Sequence, residues 1–517
     1  MTETYDEIIV GSGSAGAALA ARLSADPSRR VLLLEAGPDF PDIDGTPEDL
    51  RSGAAMSLDE HDWKYRAEIA DGRRVRFPRG KVTGGSSAVG ATIALRGVPQ
   101  DYDEWAAVGN PEWSWEKVLP FFRRLEDDAD HDQGEVHGRG GPYPVRRWQP
   151  DELTDIQRGF LQAALDAGYP EVKDHNDPEA TGVGPIPSNR REPLDVRVST
   201  AMAYLTAEVR ERPNLTIRPG VLVHRVLLED GRATGVEVST AGGAAEQLLG
   251  RRVVLSAGAV NSPAILMRSG IGPADELARH GIAVRTDLPG VGANLIDHPR
   301  TGVFMVPRPG AVDTAAPFLQ TILRTTAEDS DQFNDLQFYM VNHFDLTLFP
   351  DLQMLAGGMV ILGVMVVHQR PESRGRITLT SADPAAAPDV RLNFLSTERD
   401  MRILADGVRT CWQLANHPDV RPYGESFIVL NERLVEQDDM VRQYIRVSLD
   451  SAYHPVGTAR MGPADDPGAV VDQYLRVHGV DGLYVADASV MPNIVSCNTN
   501  LTSIMIGERL ADWLSRD

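Results

Sequence analysis

The residues best equipped for chemistry lie in the last tenth of the chain. A histidine stands in Ser451-Ala452-Tyr453-His454-Pro455-Val456-Gly457-Thr458, and Cys497-Asn498-Thr499-Asn500 follows further on. His454 and Asn498 are too far apart for a local helix pairing, so only the fold can bring them together. An imidazole that takes a proton, beside an amide that holds an oxygen, is the minimum equipment for oxidising an alcohol. An unperturbed imidazole titrates near neutrality, which makes His454 the candidate base and Asn498 the group that orients the hydroxyl oxygen. His343 and His368 are isolated and read as structural. Cys497 adjoins Asn498 and reads as a buried, inert thiol.

The N-terminus carries the complementary half. Gly11-Ser12-Gly13-Ser14-Ala15-Gly16 fits G-x-G-x-x-G. In that pattern the first glycine makes the tight turn, the second lets a pyrophosphate approach the backbone, and the third packs helix on strand. A short apolar strand at 7–10 precedes it, an alanine-rich helix from about Ala15 to Leu23 follows, and a buried strand at 31–34 ends in Glu35. The phosphates of a dinucleotide would sit on the helix N-terminus, and Glu35 would accept from ribose hydroxyls. An acid there repels a 2′-phosphate and so argues against NADP. The pattern alone does not separate NAD from FAD.

The elements that must position these groups are read from periodicity. Residues 216–238 form a strand pair with a turn at Glu229-Asp230-Gly231, and 253–257 is a buried strand leading to a helix near 263–268. The longest apolar run, 354–367, is shorter than the ~20 residues of a membrane span and reads as a buried strand or strand pair. A strand is expected at 376–380 and a helix at 400–415. The segment after Asn500 reads as an amphipathic helix with Ile504, Leu510 and Leu514 on one side, its N-terminal end toward the cofactor. Residues 127–141 are acidic and then glycine-rich. They read as a solvated loop, and the spacing of His131 and His137 fits no metal template, so no metal is expected.

Composition bounds the class. The 517 residues are 42% hydrophobic and 24% charged, an ordinary globular balance. A net charge of -23, from 51 basic and 74 acidic residues, argues against nucleic acid or anionic lipid as partners. Two cysteines, Cys411 and Cys497, rule out a disulfide framework and suit a reducing cytoplasm; no secretory leader is read at the N-terminus.

The chain resembles the glucose–methanol–choline (GMC) oxidoreductases, a family of FAD-dependent alcohol oxidases and dehydrogenases. Residues 258–272, Gly-Ala-Val-Asn-Ser-Pro-Ala-Ile-Leu-Met-Arg-Ser-Gly-Ile-Gly, fit the family's second signature. Residues 289–299, with Pro-Gly-Val-Gly-Ala-Asn-Leu, and 80–103 are similar to further family segments. The resemblance implies an α/β, or composite α+β, architecture: a Rossmann-like FAD-binding domain with a β-sheet-based substrate-binding domain. The FAD-binding part would comprise 1–155, 215–305 and 448–517, and the substrate-binding part 156–214 and 306–447.

The resemblance also implies FAD rather than NAD. It carries Gly11, Gly13, Ser14, Ala15, Gly16 and Glu35 onto the ADP part. Trp63, Gly84, Gly85, Ser86 and Ser87 match positions near flavin and pyrophosphate, and Val223 one that contacts adenine. Tyr453, Asp487, Ala488, Thr499 and Asn500 match the segments around the pyrophosphate, ribityl chain and flavin edge. Two departures matter. Gly90 stands where the family has Asn or His, which removes a polar contact. Val89 stands where covalently tethered members carry histidine, so FAD is expected to bind non-covalently. The implied activity is oxidation of a primary alcohol, a small molecule, with O2 or another acceptor reoxidising the flavin. The alternatives are a hydroxynitrile lyase on the same fold, and a non-catalytic flavin-binding protein.

Overall fold

The computed structural model describes residues 4–54, 56–191, 196–328, 330–346 and 360–516. The strand-helix-strand unit forms where the periodicity places it: Thr4–Val10, Ser14–Leu23 and Val31–Leu34. The two strands pair in parallel, with Val10 opposite Leu34. Val31–Leu34 is buried throughout, as a parallel strand covered on both faces must be.

Neighbouring strands extend the sheet on both sides. Leu215–Arg218 pairs in parallel with Val31–Leu34, and Glu246–Leu255 pairs in parallel with Thr4–Val10. Glu246–Leu255 is long enough to divide its other edge. Its first half takes Arg232–Thr240 antiparallel, followed by Val221–Glu229; its second half takes Leu483–Val485 in parallel. The hairpin turns at Asp230 and Gly231, whose φ values of 48° and 76° are those a two-residue mirror-image turn requires. Val10, Leu255 and Val485 lie in one register. The chain therefore leaves three parallel strands side by side at Gly11, Ser256 and Ala486, and a crevice opens at those carboxyl ends.

A second sheet is antiparallel. Its order is Gly424–Phe427, Pro299–Pro307, Val360–His368, Leu336–Asp345, Thr321–Thr325, Gly182–Pro185. Val360–His368 is the end of the long apolar run; the run's first part, 354–359, lies outside the described residues. Alternation sends its side chains to two faces. Val366 packs under Gly407 of the helix Glu398–Ala415, whose cap Thr397 accepts from the Asp400 N–H. Met365 and Val367 point the other way, toward the crevice. The sequence division ran the first unit to residue 305, whereas this sheet takes in Pro299–Pro307 whole. One continuous apolar core joins the two sheets. No helix among the described residues is long and apolar enough to cross a membrane.

Two expectations are corrected. The final helix, Asn500–Ser515, is not amphipathic: Leu501 to Ala511 are all buried. It packs on the helix Ser14–Leu23 so closely that a Cβ on Gly507 would stand 2.4 Å from the Ala15 carbonyl oxygen. Its polar residues are buried because partners meet them there. Glu508 accepts from Arg22 at 2.9 Å, Arg124 at 2.8 Å and Tyr204 at 2.7 Å. The solvated-loop reading of 127–141 holds at the exposed residues 129, 130, 132–135, 139 and 140 and is corrected at Asp128, His137 and Gly138, which are buried. Glu126–Asp128 is a strand paired with Tyr143–Arg147. His137 lies buried between Asp174, 2.9 Å from its Nε2, and Asp128 and Glu126, 3.2 and 3.4 Å from its Nδ1. Arg96 and Arg147 complete the charge cluster. The ligand-type groups thus come together, but Asp174 arrives from outside the segment, so local spacing could not show the cluster.

Candidate active site

One cavity, of about 350 Å³, follows the crevice from the glycine turn to the second sheet. Of the expected residues, Gly11, Gly13, Ser14, Ala15, Glu35, Trp63, Gly85, Ser86, Ser87, Val223, Tyr453, His454, Asp487, Ala488, Asn498, Thr499 and Asn500 line it. Gly16 and Gly84 do not. A Cβ on Gly16 would stand 1.9 Å from the Gly11 carbonyl oxygen, so this glycine serves helix-strand packing. Gly84 has a left-handed φ of 98° and supports the turn beneath Ser87, whose hydroxyl donates to the Gly84 carbonyl at 2.6 Å.

The cavity suits a dinucleotide on its own terms. Gly13 has an ordinary φ of -70°, and a Cβ there would meet nothing nearer than Gly85 Cα at 3.9 Å. No protein atom demands a glycine at this point, so the space at the helix N-terminus is left to a ligand. Glu35 accepts from the Ser12 N–H at 3.1 Å, the Ser12 hydroxyl at 2.7 Å and the Gly37 N–H at 2.8 Å. Those bonds fix its carboxyl on the wall with acceptor capacity to spare. Burial raises its pKa. Asp487 accepts from the Gly258 N–H at 2.9 Å and binds the Ser262 hydroxyl at 2.5 Å. Ser14 donates to Asn500 at 2.7 Å, tying the fingerprint to the final helix, and Asn500 donates to Tyr143 at 2.8 Å. Trp63 stacks on Tyr65, with ring centroids 5.8 Å apart. Gly90 also lines the cavity; its backbone is not left-handed, and a Cβ there would meet only the Ser86 carbonyl oxygen at 3.4 Å.

At the far end His454 and Asn498 meet. The Asn498 Nδ2–H donates to His454 Nε2 at 3.2 Å. Tyr339, on the second sheet, donates to Asn498 Oδ1 at 3.2 Å and so fixes which way the amide faces. On the other side His454 Nδ1 lies 3.0 Å from Nδ1 of a second histidine, His298. The Nε2 of His298 faces the Val495 carbonyl at 3.1 Å. A carbonyl can only accept, so His298 carries its proton on Nε2 and presents Nδ1 as an acceptor. His454 must then donate from Nδ1, which leaves its Nε2 unprotonated at the cavity wall. Burial above all, then the charge of His454, pushes His298 well below the usual imidazole range. Burial, then Arg79 and Arg300, pushes His454 down to about 3. His454 is half-buried and lines the cavity. Both shifts favour the neutral ring.

The backbone behind them is clamped. Asp297 Oδ1 accepts from the His298 N–H at 2.7 Å and the His454 N–H at 2.8 Å, while Oδ2 binds the Ser451 hydroxyl. Burial lifts the Asp297 carboxyl to about 6. Arg300 pairs with Asp450 at 2.7 Å and donates to the Tyr453 hydroxyl at 3.1 Å. Cys497 is buried and its thiol is pushed well above its usual range, so it stays protonated. His343 and His368 are buried elsewhere, on the Ala316 and Asp335 carbonyls.

His298, Asp297, Arg79 and Tyr339 are the site residues that reading the sequence missed. Asp297 and His298 stand inside a segment singled out above, yet nothing in their spacing ties them to His454. Tyr339 lies on a strand with no signature at all.

The chain matches the family models described as GMC oxidoreductase over residues 5–300 and 371–507. It is 36% identical to 5-(hydroxymethyl)furfural oxidase of Methylovorus sp. (strain MP688), over 99% of each chain. It is 34% identical to an oxygen-dependent choline dehydrogenase of Photobacterium profundum, over 99% of this chain and 93% of that one. Among solved structures, pyridoxine 4-oxidase from Mesorbium loti superposes with a TM-score of 0.90 at 31% identity, over 99% of this chain and 100% of that one. With the nucleotide crevice and these matches along both halves, the chain belongs to the GMC oxidoreductase family and is an FAD-dependent oxidoreductase acting on alcohol-type donors.

Proposed function

We propose that the chain oxidises a primary alcohol to the aldehyde, with His454 taking the hydroxyl proton and Asn498 holding the hydroxyl oxygen. The observation that carries this is the tautomer chain from the Val495 carbonyl through His298 to His454, which leaves Nε2 unprotonated and able to accept a proton. Bound FAD supplies the acceptor for the alcohol's hydride, at N5. A substrate hydroxyl placed between His454 Nε2 and Asn498 Nδ2 would donate to the first and accept from the second. As the proton moves to Nε2, the Nδ1–H bond to His298 holds the ring in place. Met365, Val367, Leu319 and Ile93 add apolar surface to the cavity wall, and a low-polarity wall strengthens hydrogen bonds made within it.

FAD is held non-covalently in this reading. Val89 replaces the tethering residue, and His454 is the one histidine on the cavity wall among the described residues. Dioxygen is the favoured acceptor, because relatives carry the names oxidase and oxygen-dependent dehydrogenase. The acidic surface and the two free, buried thiols fit a small-molecule enzyme of the cytoplasm. The test is an anaerobic screen of alcohols, read as loss of flavin absorbance, followed by admission of air. Bleaching by a primary alcohol and recovery in air are expected. A flavin that no alcohol bleaches would sink the oxidation reading in favour of a lyase or a binding protein.

A further inference from the structure

Arg79 stands at the same end of the cavity and has no counter-ion among the described residues. Its Nη2 donates to the Tyr453 carbonyl at 2.6 Å and its Nε to the carbonyl of Pro78. Its guanidinium lies 5.5 Å from the centroid of the Phe77 ring. The two nearest carboxylates that feel its charge are committed elsewhere. Asp62 accepts from the Arg79 main-chain N–H at 2.7 Å, and Asp297 serves His298, His454 and Ser451. Arg300, the other cation near His454, is neutralised by Asp450. The acids that line the cavity among the described residues, Glu35 and Asp487, are held by Ser12 and Gly37 and by Gly258 and Ser262.

Arg79 is half-buried on the cavity wall; a guanidinium there without an anion is costly, and negative charge placed beside it offsets that cost. The alcohol is neutral. On oxidation its hydroxyl proton goes to His454, and its hydride, a proton with two electrons, goes to the flavin. The histidine thereby gains one positive charge and the flavin ring one negative charge, and the sum is unchanged. We propose that Arg79 is the counter-cation for that negative charge and raises the electron affinity of the bound flavin. The inference rests on the reading that the flavin ring lies at the His454 end. It assigns Arg79 a task separate from proton removal.

Sulfite tests this without alcohol or base. Its sulfur lone pair forms a bond to flavin N5, and the ring takes up the electron pair and the negative charge. Sulfite should bleach the FAD-loaded parent, and Arg79→Gln should bind it about ten- to fiftyfold more weakly, the effect of one nearby unit charge in a half-screened site. Arg79→Lys, which keeps the charge, should stay within about threefold of the parent. FAD per protein is measured for each. A parent that forms no adduct, or an Arg79→Gln protein that retains FAD and parental sulfite affinity, overturns the proposal. Should Arg79→Gln lose FAD, the lysine variant decides: retained FAD with parental sulfite affinity supports the charge. Loss of FAD there too shows that the fork on the Tyr453 carbonyl is what matters, and overturns it. Failure of alcohol to bleach a sulfite-competent protein would count against the alcohol reading alone.

Discussion

Replacing His298 by leucine removes the acceptor of the His454 Nδ1–H. The ring is then left with a buried donor facing apolar surface, worth about 1–3 kcal/mol. The competing tautomer, protonated on Nε2, no longer suffers that loss. It points an N–H at the Asn498 Nδ2–H and offers the substrate no base. If the working tautomer is disfavoured by about 1–3 kcal/mol, flavin reduction slows roughly five- to 150-fold. FAD content should hold, because His298 does not line the cavity. The Val495 carbonyl also loses its donor, so some thermal stability goes with it. The assay is anaerobic stopped-flow at saturating alcohol, run for the parent, His298→Leu, His454→Ala and the double variant. If His298 acts through His454, it has little further effect once His454 is gone. A parental rate in His298→Leu, or an equal slowing in both backgrounds, would refute the tautomer chain.

His454→Ala should slow flavin reduction by roughly two to four orders of magnitude. Asn498→Ala should slow it less, by about 1–3 kcal/mol in barrier, and non-additively with His454→Ala; multiplying effects would mean they do not share one oxygen. Acid precipitation of the yellow protein should leave all flavin in the supernatant, and a flavinylated peptide would contradict this. Gly90→Asn should keep FAD, since the backbone there is not left-handed and a Cβ meets nothing closer than 3.4 Å; FAD affinity measured by titration checks it. His137 is raised to about 10, chiefly by Asp128, Asp174 and Glu126 acting against its burial. Its stabilisation should be full below about pH 6.5 and drain away as pH rises toward 10. Asp128 and Asp174 are held below the carboxylate range against their burial, by His137 and Arg147, so their share is lost in acid. The Tm gap between parent and His137→Gln should therefore be widest near pH 5–6 and narrow above pH 8, and a constant gap would dismiss the cluster's role.

The nucleotide half was legible in the sequence because its signals are local. The glycine spacing of 11–16, the apolar strand 31–34 ending at Glu35, and the Asp230-Gly231 turn each depend on a few consecutive residues and their backbone preferences. His454 and Asn498 were found from residue type and family pattern, not from any periodicity that would make them neighbours. Tertiary structure decided the rest. The common register of Val10, Leu255 and Val485 sets three distant segments around one crevice. The protonation of His454 follows from Val495 and His298, joined to it only by the fold. Burial overrode local pattern twice. The helix 500–515 carries Glu508 inward because Arg22, Arg124 and Tyr204 meet it, and Asp128 and His137 of the mostly exposed 127–141 segment go inside because Arg147 and Asp174 arrive from elsewhere. A sequence states which groups need partners, but long-range packing alone determines whether a buried partner is there.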